Sequence, residues 1–166
     1  MMSKYKQFPD RNIEDLLNAV VVRAAEDYRE AYVTLMKRDS SRARTVLQET
    51  ESFFHSEDFS CFTLADGPRI FSMLKREREE VETGIRELRH LRKELVKTWA
   101  IFEKTGRQDA ELYEKCRVWA NRIKTIILDL PQFTGKLKRL KPGESRILKE
   151  IIRMRGESEH DSERIS

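Results

Sequence analysis

The sequence predicts an all-α protein: an N-terminal helical hairpin, then a long antiparallel helical hairpin, then a short C-terminal helix. Three observations carry this. Apolar residues recur at spacings of three and four through most of the chain, the period of one helix face. Glycine and proline number only 6 and 4 in 166 residues, and most stand where a helix would start or stop. Charged residues make up 37% of the chain, a composition of helical and coiled-coil proteins rather than of sandwiches or disordered chains.

Residues 1–67 form the first segment. From Asp10 to about Arg38, Ile13, Leu16, Leu17, Val20, Val21, Ala24, Tyr28, Ala31, Tyr32, Leu35 and Met36 fall on one broad helical face, expected to be core. Asp39-Ser40-Ser41 interrupts the pattern and offers side-chain oxygens to cap a second helix with the stripe Ala43, Val46, Leu47, Thr50, Phe53 and Phe54. Ser56 is placed to cap a further turn or two carrying Phe59 and Phe62, and Glu57 and Asp58 suit the positive end of its dipole.

Residues 68–130 form the long hairpin. Asp66 and Pro68 suit a helix start, and no proline interrupts the chain from there to about Lys104. Leu74, Val81, Leu88, Leu95 and Phe102 recur every seven residues, with Arg78, Ile85, Arg92 and Trp99 in the companion row. This predicts a long helix against a single antiparallel partner, the arginine stems along the seam and their heads in water. Gly106 fits the residue that ends the helix, and Asp109 the cap of the partner, whose stripe runs from Leu112 through Cys116, Trp119 and Ile123 to Leu130. Residues 131–155 read as a basic connection and a final amphipathic helix carrying Ile147, Leu148, Ile151, Ile152 and Met154, and residues 156–166 as a polar, disordered tail.

The net charge of +4 is unevenly divided. Residues 1–67 hold 9 Lys/Arg against 12 Asp/Glu, whereas residues 131–155 hold 8 against 2. The basic C-terminal part therefore suits a polyanion or an acidic protein surface. The candidate contacts are Lys136, Lys138, Arg139, Lys141, Arg146, Lys149 and Arg153, with Arg146, Lys149 and Arg153 recurring at helical spacing as a stripe for a phosphate backbone. A second set, Lys75, Arg78, Arg86, Arg89, Arg92, Lys93 and Lys97, is interleaved with Glu79, Glu82, Glu87 and Glu94, so intrahelical pairs are expected to absorb it.

Catalytic signatures are missing from the sequence: it has no glycine-rich phosphate loop, no HExxH and no GxSxG. His55, His90 and His160 are far apart, and Cys61 and Cys116 have no CxxC spacing, so neither a metal site nor a disulfide is expected. The Phe53, Phe54 and Phe59 cluster beside His55 reads as core rather than as a base-stacking platform. No enzymatic activity, cofactor or metal is expected. No apolar run approaches the roughly 18 residues of a membrane span, and the first residues hold no apolar signal core, which places the chain in a reducing cytoplasm.

The stretch from Ala25 to Arg78 resembles a family of uncharacterised proteins encoded by phages and other mobile elements of Gram-positive gut bacteria. The matching residues are Asp27-Tyr28-Arg29 with Ala31, Phe53-Phe54 with Ser56 and Phe59, Leu64 with Asp66-Gly67, and Leu74-Lys75 with Glu77. The family usually has an aromatic residue where this chain has Asp58. The resemblance implies a mobile-element origin in a bacterial host, and it carries no biochemical role. By analogy with other small phage proteins, the expected function is inhibition of a host nucleoprotein of the CRISPR nuclease kind, with a DNA- or RNA-binding accessory and a phage assembly factor as alternatives.

Overall fold

The computed structural model describes residues 10–63 and 65–163, with side chains over 15–60, 63 and 65–157. The expectations for Ile13, Cys61, Phe62, Leu64 and His160 concern side chains outside these. The described residues contain seven α-helices, one 3-10 turn and no strand. They divide into two compact units, Met1–Glu80 and Val81–Ser166.

The first unit is a hairpin with an aromatic core. Helices α1 (Asp10–Lys37) and α2 (Ser41–His55) are joined by a loop whose Ser40, in an extended backbone conformation, accepts a hydrogen bond from the Ala43 N–H at 3.2 Å. That bond satisfies one of the amides a helix start leaves open. Ser56 does the same for α3 (Glu57–Phe62) by accepting from the Phe59 N–H, and Asp66 for α4 (Gly67–Lys104) by accepting from the Arg69 N–H. Tyr28, Tyr32, Phe54, Phe59 and Phe71 are all buried, and Tyr28 meets the Tyr32 and Phe71 rings edge to face at 5.6 and 5.4 Å. Gly67 is required at its position. A Cβ there would lie 2.1 Å from the Phe54 carbonyl oxygen and within 2.9 Å of the Phe59 ring.

The apolar stripe of α1 is covered within this unit only over its C-terminal half. Tyr28, Ala31 and Tyr32 are buried, whereas Leu16 and Val20, predicted to be core, are 65% and 44% exposed. The cause is length. The 28 residues of α1 span about 42 Å and the 15 of α2 about 22 Å, so the shorter helix cannot cover the longer one.

The second unit takes α4 from Val81 onward, α5 (Ala110–Asp129), a 3-10 turn (Gln132–Thr134), α6 (Gly135–Lys138) and α7 (Pro142–Glu163). The seven-residue row is core here, since Val81, Leu88, Leu95 and Phe102 are each 2% exposed or less. Helices α4 and α5 run antiparallel: Glu87 bonds Arg122, a Cβ on Gly84 would touch Leu130, and Phe102 lies 5.8 Å from Tyr113. Gly106, with φ +68°, ends α4. Its N–H bonds the Glu103 carbonyl while the Arg107 N–H reaches back to that of Phe102, which meets the open carbonyls of the last turn. Asp109 then caps α5 by accepting from the Leu112 N–H.

Helix α7 alters the expected two-helix seam. It packs as a third helix, with Ile147, Leu148 and Ile151 buried and the Tyr113 hydroxyl donating to the Ile151 carbonyl. Arg92 consequently does not hold its head in water. Its guanidinium donates twice to Glu144 Oε2, at 2.9 Å from Nε and 2.6 Å from Nη2, with the two side chains only 13% and 11% exposed. The helix also continues past Gly156 to Glu163, where the sequence suggests a disordered tail. A single glycine costs a helix about 1 kcal/mol without ending it, and the Arg153–Glu157 pair bridges one turn to the next across Gly156.

Candidate functional site

Of the seven basic residues singled out in the C-terminal part, the structure leaves five available. Lys136 lies exposed on α6, Arg139 and Lys141 on the connection to α7, and Arg146 and Lys149 on α7 itself. Among the described residues none of these five side chains forms an ion pair. Lys138 has another task. Its ammonium donates to the Ile127 and Leu130 carbonyls at 3.1 and 2.8 Å, closing the C-terminal end of α5, where the helix dipole favours a cation. Arg153 is held between Glu150 and Glu157. The hydrogen bond to Glu150 holds the guanidinium above its ordinary value, and the same contact, aided by Arg107, holds the Glu150 carboxyl below its own. The expected stripe of Arg146, Lys149 and Arg153 therefore presents two uncompensated charges.

The tertiary fold brings two cations of α4 to the same region. Arg89 and Lys93, one turn apart, face the start of α7 across a cleft of about 710 Å³ that Lys141 and Arg146 line from the other side. Arg92 and Glu144 form its inner wall, and Val96, Gly143 and Ile147 an apolar floor. Five cationic side chains thus surround one carboxylate, and that carboxylate is already committed. Glu144 Oε2 takes both bonds from Arg92 and a third, at 2.7 Å, from the Lys141 backbone N–H. A site built this way attracts anions, because the charge left over is positive.

The signal for Arg89 and Lys93 was present locally. Around Arg89 the residues three and four away are Ile85, Arg86, Arg92 and Lys93, and around Lys93 they are Arg89, His90, Val96 and Lys97. Lys93 has no carboxylate at the spacing that would pair with it. Glu87 turns to Arg122 of α5, whose bonds hold its carboxyl below the usual range.

In the first unit Tyr28, Phe54, Phe59 and Leu74 serve packing, and Ser56 and Asp66 cap helices. Arg29 makes a two-pronged ion pair with Glu77 at 2.7 and 2.9 Å, and the Tyr32 hydroxyl donates to the same carboxylate. The hydrogen bonds from Arg29 hold Glu77 below the ordinary carboxylate value, while burial and the neighbouring carboxylate push the Tyr32 phenol up. With both oxygens engaged, Glu77 is a structural anchor. Burial likewise raises the Cys116 thiol to about 11, which leaves it protonated and unreactive. Among the described residues no three His, Cys, Asp or Glu side chains are placed to hold a metal ion, and no helix is long and apolar enough to cross a membrane. No protein-family model matches the chain, and neither a curated protein nor a solved structure is found similar to it.

Proposed function

We propose that the protein acts by binding rather than by catalysis, and that the cleft of the second unit engages the phosphates of a nucleic acid, free or within a nucleoprotein. The observation that carries the reading is the convergence of Arg89 and Lys93 with Lys141 and Arg146 around a carboxylate that is already saturated. Phosphate contacts release counterions, so affinity falls with salt at a slope set by the number of contacts. The test is fluorescence anisotropy with a labelled oligonucleotide across a salt series. Replacing Lys93, Lys141 and Arg146 together by alanine should weaken binding and flatten the slope by roughly two to three units. An unchanged slope overturns the assignment.

A second reading, a mobile-element inhibitor of a host nucleoprotein such as a CRISPR nuclease, is favoured by the division of charge. The first unit has 13 Lys/Arg against 15 Asp/Glu, a net of −2, and the second has 20 against 14, a net of +6. A chain with opposite charge on its two units suits a partner that offers both protein cations and phosphates. A protein partner captured from host lysate and retained after nuclease treatment supports this reading, and recovery of nucleic acid alone defeats it.

A further inference from the structure

We infer that the cleft takes a single-stranded nucleic acid, with one base seated on its apolar floor and the flanking phosphates held by the cations of its two rims. This rests on the nucleic-acid reading above and specifies the form that is bound. The cleft is a concavity, and its volume lies within the roughly 300–1,000 Å³ of pockets that enclose a small ligand. A duplex keeps its base faces stacked inside and presents sugar, phosphate and base edges, so it would use the rims and leave the floor empty. An unstacked strand offers each base as a flat apolar face with a phosphate on either side.

The floor fits that shape. Val96 is 43% exposed, and covering it with a base removes apolar surface from water. Gly143 leaves the floor open, since a Cβ there would meet nothing within 4 Å. Lys93 stands one turn after Arg89 on α4, a rise of about 6 Å, comparable to the separation of successive phosphates along an extended strand. On the opposite rim Arg146 has no ion-pair partner among the described residues, so its planar guanidinium is available both to a phosphate and to the face of a base.

The experiment compares the intact chain with labelled oligothymidine, oligouridine and a duplex of equal length at one salt concentration, with oligoglutamate as competitor. At least one single strand should bind about tenfold more tightly than the duplex. Gly143→Leu fills the floor without changing charge, and its folding is checked by a thermal melt. It should lower single-strand affinity about tenfold and bring the single-strand to duplex ratio near one. Equal affinity of wild type for single strands and duplex, an unchanged ratio in a folded Gly143→Leu variant, or displacement by oligoglutamate as effective as by unlabelled strand overturns the inference while leaving salt-dependent phosphate binding standing. Absence of binding to every nucleic acid overturns both.

Discussion

The ion pair between Arg92 and Glu144 decides how the cleft wall is held, and its removal has a calculable effect. With Arg92 only 13% exposed, Glu144→Ala leaves a nearly buried cation with no counter-charge, a change that costs about 3–5 kcal/mol. The variant also loses the bond from the Lys141 N–H, which closes the first turn of α7. For a chain of this length the midpoint of thermal unfolding should fall by roughly 6–20 °C, at about 2–4 °C per kcal/mol. Removing both charges together has a different outcome, because burying the pair costs desolvation that its attraction only partly offsets. Arg92→Met with Glu144→Leu should therefore lie within about 1 kcal/mol of wild type or be more stable. The pair of Arg122 and Glu87 supplies a control, since it has a similar two-pronged geometry at 2.6 and 2.9 Å but is 50% and 37% exposed. Water screens it, and Glu87→Ala should leave the midpoint close to wild type. The assay is urea unfolding followed by far-ultraviolet circular dichroism on the single and double variants. A loss below about 1 kcal/mol for Glu144→Ala, or a double variant as unstable as the sum of its singles, would refute the reasoning.

Two further predictions concern the first unit and the helix glycines. Gly67→Ala forces a methyl group onto the Phe54 carbonyl oxygen and should destabilise by about 3 kcal/mol or more, whereas Gly135→Ala, helical with open space around it, should stabilise by roughly 0.5–1 kcal/mol; parallel urea titrations compare them, and equal effects would mean the close approach at Gly67 is absent. Because Arg29 holds Glu77 below the ordinary carboxyl value of 4.5, the stabilising contribution of the carboxylate is complete above that value and is lost as pH falls through the lower folded-state value. The stability gap between wild type and Glu77→Gln should therefore shrink from about pH 7 to about pH 3, and a gap that stays constant or widens would contradict the assignment.

The helices and their ends were legible residue by residue. Ser40, Ser56, Asp66 and Asp109 cap the helices they precede, and Gly106 adopts the left-handed conformation that closes α4. Such features depend on bonds between residues three to five apart, so a local stretch contains both partners. The seven-residue row of α4 was equally visible, because a period of apolar side chains fixes which face is buried against some neighbour.

Which neighbour arrives, and how far it reaches, depends on contacts between residues distant in sequence. Arg29 meets Glu77 across 48 positions and Arg92 meets Glu144 across 52. The same face of a helix can thus hold an arginine in water or bury it in an ion pair, and only the placement of α7 chooses the second for Arg92. Helix length acts in the same way on α1, where an amphipathic stripe continues past the end of α2 and Leu16 stays exposed. The cleft combines both kinds of information. The charges of Arg89, Lys93, Lys141 and Arg146 are written locally, but their convergence on one concavity comes from the packing of α7 against α4, since periodicity assigns each helix a buried face without naming the helix that covers it.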